Sequence, residues 1–497
     1  MKFHIIVYGC QMNYSDSARI RAVLINCGFS YVENIEDADI VILDTCSVRQ
    51  KSEDKVFGRL KQIPKDKKVW ITGCMIQHNL NLNKMKKYEE TIQNNFNLGN
   101  FQGKLKTKNP IIAGIYESNI EDVLYQYKKS NPDMKGFKDQ VLLLNNAFNP
   151  LYKKIKKRFD NLELVFRIDD LGFLPQILEK IGYKIEKVDE NIQNEYTGII
   201  PGGANQNLEK RAKTAFVPIQ TGCSQFCAYC IVPYARGLEK NRSYDDILKE
   251  VDYHISNGVE EIILVGQIVN KHPEFNKIIK AILKYKNIKW IRYTSPYPTY
   301  YNDELFSMHE NEEKLCPHIH IPAQSGSNKI LKKMFRGYTV EQFKEFIDKI
   351  YSLDRNISIT TDMIIGFPSE TEEDFQASLE LVEYAKFDMI FMGVYSPRPG
   401  TLGAKKYDDD VWAQTKSNRR SQMNSLLSHI SFENNQKDVG KIQDVMTTKI
   451  DEKAIIGYNE QMKNVIIKKP DYDMNTGNFC CVEIKKGDSF NLYGEII

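Results

Sequence analysis

The chain has 497 residues, too many for one ordinary domain, and its 42% hydrophobic and 27% charged content is that of a globular protein rather than a disordered one. No apolar run reaches the ~18 residues needed to span a bilayer, and Met1-Lys2-Phe3-His4-Ile5-Ile6-Val7 is too short for a secretory signal, so a cytoplasmic protein with no membrane partner is expected. The net charge of +3 permits an RNA partner without arguing for one, and the ten cysteines are too thinly spread for a disulfide scaffold, which leaves them as thiols available to metal.

From the N-terminus, strand and helix signals alternate at residues 3–8, 15–27, 39–43, 52–62 and 68–72, which predicts a parallel sheet with helices packed on it. Three of the strands end in cysteine, at Tyr8-Gly9-Cys10, Asp44-Thr45-Cys46 and Thr72-Gly73-Cys74. The C-terminal strand ends of a doubly wound sheet share one edge, so Cys10, Cys46 and Cys74 are expected to converge as a cluster site. The alternative for each is a small buried residue closing a strand. Residues 162–178 read as the closing strand and helix, making residues 85–158 an insertion. It holds a helical candidate at 120–129 and lysine-rich loops at 104–108 and 153–157, which are either an RNA-contacting face or an ordinary solvated one. Residues 197–209, with Pro201-Gly202-Gly203-Ala204-Asn205, have the composition of a linker, so the first domain is placed at 1–205 and the second from 210 to 435.

A short strand before residue 220 leads through Gly222 into Cys223-Ser224-Gln225-Phe226-Cys227-Ala228-Tyr229-Cys230. Three thiolates can hold three corners of an iron-sulfur cubane and leave the fourth iron open to an outside ligand. A zinc knuckle needs a second Cys or His pair within ~20 residues, and Ile231-Val232-Pro233-Tyr234-Ala235-Arg236-Gly237 brings none. Strand-like runs follow at 261–265, 290–294, 318–322, 357–365 and 389–395, with amphipathic helical stretches between them, for six parallel strands in all. The loops after such strands carry active groups, which points to Gly266-Gln267, Ser295, Gln324-Ser325, Asp362 and Arg398. The alternative for each is a loop residue bonded to backbone. His318 and His320 alternate on a strand and receive no catalytic role.

Residues 404–437 read as a long polar helix. Strand runs at 443–450, 454–458, 463–468 and 479–484, with a last one to 497, predict a small antiparallel barrel over 438–497. Lys463, Lys468, Lys469, Lys485 and Lys486 suit RNA contact there, although many such barrels are only structural. Cys27, Cys316, Cys480 and Cys481 are read as ordinary thiols.

The cysteine motif at 223–230, with its continuation Val232-Pro233-Tyr234-Ala235-Arg236-Gly237, resembles that of the radical S-adenosylmethionine methylthiotransferases. So do residues 8–17 and 44–52 around Cys10 and Cys46, and the later stretches His320-Ile321-Pro322-Ala323-Gln324-Ser325-Gly326-Ser327, Thr361 to Pro368 and Ser396 to Thr401. The resemblance implies an α/β protein with an N-terminal parallel-sheet domain, a central partial (β/α)6 radical barrel and a C-terminal RNA-binding, TRAM-like β-barrel. It implies two four-iron four-sulfur clusters, an auxiliary one on Cys10, Cys46 and Cys74 and one on Cys223, Cys227 and Cys230 whose open iron takes S-adenosylmethionine. Tyr229 is then expected near the adenine of that cofactor, with Gln267, Gln324 and Asp362 among its contacts. Gly9-Cys10-Gln11-Met12-Asn13 and Gln324-Ser325-Gly326-Ser327 most resemble the branch that methylthiolates carbon-2 of isopentenyladenosine beside the anticodon of tRNA. The implied partners are the tRNA anticodon loop, an electron donor such as flavodoxin or ferredoxin, and a sulfur source, with the chain a monomer. Relatives acting on threonylcarbamoyladenosine or on a ribosomal-protein aspartate are the alternatives. From another class, the alternative is a non-catalytic zinc-containing RNA-binding protein, for which His78 is the one histidine conveniently near Cys46 or Cys74. Two departures bear on substrate contacts rather than clusters: Ile268 stands where the family usually has asparagine, and Pro296-Tyr297 where a Ser-His pair is common.

Overall fold

The structure, a computed structural model, describes residues 1–46, 50–81, 155–185, 213–469 and 476–497. Most of the insertion read at 85–158, with its helix and its first lysine-rich loop, and the linker at 197–209 lie outside the described residues.

The N-terminal elements are β1 (Lys2–Val7), α1 (Gln11–Asn26), β2 (Ser30–Tyr31), β3 (Ile40–Thr45), α2 (Gln50–Leu60), β4 (Lys68–Gly73), α3 (Cys74–Asn81), β5 (Leu162–Val165) and α4 (Leu174–Lys180). The strands form one parallel sheet in the order β2-β1-β3-β4-β5. Ile40-Val41-Ile42-Leu43 of β3 is buried throughout, as a central parallel strand covered by helices on both faces must be. One face packs Phe3, Ile20, Leu24, Trp70 and Leu164, the other Val41, Leu43, Val56, Leu60 and Ile71. The order reverses between β1 and β3, so the crevice of this sheet opens at their C-terminal ends.

The second unit begins with β6 (Thr214–Pro218), β7 (Gln220–Thr221), α5 (Val232–Arg236), β8 (Lys240–Asn241) and α6 (Tyr244–Ser256). Then come β9 (Glu261–Val265), β10 (Trp290–Tyr293), β11 (His318–His320), β12 (Ser358–Ile365) and β13 (Met389–Val394). The six longer strands are parallel but fall into two three-stranded sheets, β10-β9-β6 and β11-β12-β13. They meet at a single bridge, Ile291 to Leu315. Pro317 and Pro322 bracket β11 and supply no backbone donors, which limits this strand to three residues. Val217, Ile262 and Leu264 face Ile247 and Val251 of α6, whereas Ile263, Val265 and Phe216 pack into the N-terminal core. Tyr14 stacks on Phe216 at 6.0 Å. Across the same junction Arg19 of α1 meets Glu250 of α6 at 2.7 Å, and Arg242 meets the same carboxylate at 2.5 Å.

The expected helix over 404–437 is two helices, Leu402–Lys406 and Ala413–Gln436. Between them Asp408-Asp409-Asp410 breaks the turn: Asp409 pairs with Lys416, and Asp410 accepts from the Ser369 amide at 2.7 Å. The chain ends in β14 (Ile442–Ile450), β15 (Ala454–Asn459), β16 (Asn464–Lys468), β17 (Phe479–Gly487) and β18 (Asn491–Ile496), a closed barrel in the order β14-β15-β16-β18-β17. It is not wholly antiparallel as expected, because β16 and β18 run parallel. Parity requires it: five strands closed into a ring cannot alternate direction at every pair. The barrel docks on the N-terminal ends of β9 and β10, where Tyr458 Oη donates to Glu261 at 2.5 Å and Arg292 donates to the carbonyls of Asn459 and Glu460 at 2.9 and 2.7 Å. Among the described residues, no helix is long and apolar enough to cross a membrane.

Candidate cluster and cofactor site

Cys10 follows β1 and opens α1, Cys46 follows β3, and Cys74 follows β4 and opens α3, so all three stand on the crevice edge of the first sheet. A methyl group built on Gly9, the residue before Cys10, would lie 3.0 Å from Cys46 Cβ, so the chain entering Cys10 passes close to Cys46. Asn13 ties the edge together: its Oδ1 accepts from the Cys10 amide at 3.3 Å, while its Nδ2 donates to Asp44 Oδ1 at 3.0 Å. Ser17 donates to the other oxygen of Asp44 at 2.9 Å. Asp44 is fully buried, and burial and then the charge of Asp16 hold its pKa well above the usual carboxylate range. Cys10 is exposed, whereas Cys46 and Cys74 are buried. Burial raises the pKa of Cys74; Arg236 opposes the rise and Cys46 and Cys10 add to it.

In the second unit, β7 pairs antiparallel with β8 and closes the base of the loop that carries Cys223, Cys227 and Cys230. Gly222 enters the loop at φ +69°, where a side chain would meet the Leu238 carbonyl oxygen at 2.0 Å. The Cys223 amide then donates to Gly237 at 3.0 Å, and that of Ala228 to Met334 at 2.9 Å. Burial, followed by the neighbouring Cys227, pushes Cys230 up to about 12, and burial with Cys230 and Cys227 raises Cys223. Each set of thiols is therefore within electrostatic reach of its own members and must shed protons to take metal.

Two arginines to which the sequence reading gave no role complete these sites. Arg336 donates to Cys227 Sγ at 3.5 Å and to the Pro322 carbonyl at 3.1 Å, its guanidinium lying 4.6 Å from the Tyr297 ring centre. Arg236 donates to Cys74 Sγ at 3.1 Å and pairs with Asp16. Arg236 stood in the quoted motif, but only the tertiary fold shows that it reaches the other cysteine set. The two departures also find roles: Ile268 is buried in one apolar cluster with Cys223, and Tyr297 accepts the Gly337 amide at 2.9 Å beside Arg336.

Of the strand-end residues, Gln324 and Asp362 are brought together, the Gln324 amide donating to the Asp362 carbonyl at 2.8 Å. The Asp362 carboxylate lies 3.1 Å from His320 Nε2. Gln267 stands at the end of β9 in the other sheet, and Tyr229 is half-buried beside Phe226, Tyr234 and Phe335. Ser295 adopts φ +54°, and Arg398 is buried. Cys27 and Cys316 are buried, Cys480 is half-buried and Cys481 exposed.

A family profile described as "Radical SAM superfamily" matches residues 217–382, and one described as "Uncharacterized protein family UPF0004" matches residues 2–94. The chain is 32% identical over 506 residues to the tRNA-2-methylthio-N(6)-dimethylallyladenosine synthase of Carboxydothermus hydrogenoformans, covering 100% of this chain and 99% of that protein. To the same-named protein of Dictyoglomus thermophilum it is 33% identical over 511 residues, covering 100% and 98%. The chain belongs to the radical S-adenosylmethionine methylthiotransferase family. Among solved structures, the radical S-adenosylmethionine methyltransferase TsrM of Kitasatospora setae matches 90% of this chain and 79% of its own at 11% identity, with a TM-score of 0.46.

Methylthiotransferases of this family work with two four-iron four-sulfur clusters and S-adenosylmethionine, and the donors of this chain suit them. The six cysteines of the two sets form no disulfide. Among the described residues, no three His, Cys, Asp or Glu side chains are gathered tightly enough for a single metal ion. Among the described residues, the buried amide oxygens of Gln267 and Gln324 have no hydrogen-bond partner, which leaves two acceptors open to a donor-bearing ligand.

Proposed function

We propose that this chain is the tRNA methylthiotransferase that modifies carbon-2 of isopentenyladenosine beside the anticodon. The observation that carries the reading is the meeting of two three-cysteine sets, each at C-terminal strand ends, with Arg236 from the segment after one set bonded to a thiol of the other. Full-length identity above 30% to synthases named for that product supports the substrate.

In this reading Cys10, Cys46 and Cys74 hold the auxiliary cluster, and Cys223, Cys227 and Cys230 hold the cluster that takes S-adenosylmethionine. When bound, these groups supply the electron, the hydrogen-abstracting radical and the methylated sulfur. Gln267, Gln324 and Asp362 present acceptors to the amino and hydroxyl groups of the cofactor, and Tyr229 packs beside its adenine. Phe391, opposite Asp362 in register and half exposed, offers an aromatic face to a base splayed from an RNA loop. The central unit supports the partial (β/α)6 barrel, and the C-terminal barrel is the tRNA-binding element, with Lys468, Lys469, Lys485 and Lys486 meeting phosphates. A flavodoxin or ferredoxin supplies electrons, a separate source supplies sulfur, and the protein acts as a cytoplasmic monomer.

The test of substrate is competitive. The anaerobically reconstituted protein is given tRNA carrying isopentenyladenosine, tRNA carrying threonylcarbamoyladenosine and ribosomal protein together, and each is digested for mass spectrometry. The expected result is a methylthio mass gain on isopentenyladenosine alone; a gain on either rival substrate overturns the assignment.

A further inference from the structure

We propose that Arg236 is a positioning residue that sets the reduction potential of the cluster on Cys10, Cys46 and Cys74. The inference rests on the ligand assignment above and adds to it a control exerted from the domain that holds the other cluster. Helix α5 starts two residues after Cys230 and packs on α3, whose first residue is Cys74. Gly237 stops the helix directly after Arg236 with φ +75°, which fixes where the arginine leaves the backbone. The side chain is 5% exposed and divides its donors: Nε goes to Cys74 Sγ at 3.1 Å, while Nη1 and Nη2 hold the two oxygens of the fully buried Asp16, Nη1 at 3.4 Å.

The Asp16 carboxylate takes Nη1 and Nη2 in a two-pronged pair, which leaves the Nε–H of the guanidinium without a carboxylate partner. That donor goes to a sulfur, and the carboxylate orients the buried fork toward it. Hydrogen bonds and charges around ligand sulfurs tune a cluster's potential. A cluster that accepts one electron gains one negative charge, which the guanidinium favours and the Asp16 carboxylate disfavours. Removing the arginine's charge therefore lowers the potential, and removing that of Asp16 raises it. A mere brace between domains would give no such opposition, since losing either partner loosens the same contact.

The test uses the full chain carrying C223A, C227A and C230A, so that only the N-terminal set is loaded, titrated with dithionite under electron paramagnetic resonance. In that background R236Q is expected to shift the midpoint to more negative values, D16N to more positive values, and R236K to shift it less than R236Q. Shifts of the same sign in R236Q and D16N, or none in either, overturn the proposal. Where R236Q retains no iron, R236K against D16N decides by the same criterion of sign. A triple-cysteine variant that binds no iron at all instead sinks the ligand assignment, and this inference with it.

Discussion

At the level of single residues, the unpaired amide oxygen of Gln324 separates stability from binding. Gln324 is 6% exposed, and its Oε1 has no partner among the described residues. A buried acceptor left unsatisfied costs ~1–3 kcal/mol, so Gln324→Leu is expected to leave the unliganded protein as stable as before or up to ~1 kcal/mol more stable. The same change should weaken S-adenosylmethionine binding at least tenfold, the loss of one hydrogen bond being worth ~1.4 kcal/mol or more. Thermal unfolding and calorimetric titration of the cluster-loaded protein read the two effects; a destabilised protein with unchanged affinity would make Gln324 a structural residue. Gln324 was legible in the sequence because a polar residue followed a strand of parallel type. Arg336 was not, because it follows a helix rather than a strand and reaches Cys227 only through the fold.

Among the elements, the cysteine loop depends on its entry turn. Gly222→Ala places a methyl 2.0 Å from the Leu238 carbonyl oxygen in a left-handed conformation, so the turn must open. The backbone penalty alone is ~1–2 kcal/mol, and the clash adds to it. The expected result is a lower unfolding temperature and loss of about half the iron after reconstitution, with the N-terminal cluster retained. Iron analysis showing full loading would contradict the geometry. The longer strands of all three units were readable from apolar runs and their bounding turns. β2 was not, since two residues carry no periodicity, and the parallel pairing of β16 with β18 was missed although five strands in a ring demand it. The break between β10 and β11 comes where the His318 amide turns back to the Cys316 carbonyl at 2.8 Å rather than continuing the pairing that Cys316 makes with Ile291.

For the whole molecule, buried charge joins the parts alongside apolar packing, and a linear sequence hides the charge pairs. Arg19 and Glu250 stand far apart in the chain, and nothing local pairs them. Burial alone would raise the pKa of Glu250, but Arg19, Arg242 and His254 outweigh it and bring it down to about 2. A folded-state pKa below the unfolded value of ~4.3 stabilises the protein above that pH and is lost as pH falls through about 2. The loss between pH ~4.3 and ~2 is worth roughly 3 kcal/mol. Glu250→Gln should flatten this part of the acid limb in urea unfolding and at neutral pH cost ~3–5 kcal/mol by leaving Arg19 and Arg242 buried beside a neutral amide. An unchanged acid limb would show that Glu250 does not bind the domains together. The account's central claim, two cysteine sets with separate duties in one enzyme, is tested most directly by following two products in one anaerobic reaction: deoxyadenosine, and the methylthiolated nucleoside from isopentenylated tRNA. Cys227→Ala is predicted to abolish both, whereas Cys46→Ala abolishes the modified nucleoside and leaves deoxyadenosine formation. Modified nucleoside made by the Cys46→Ala protein, or deoxyadenosine made by the Cys227→Ala protein, would contradict it.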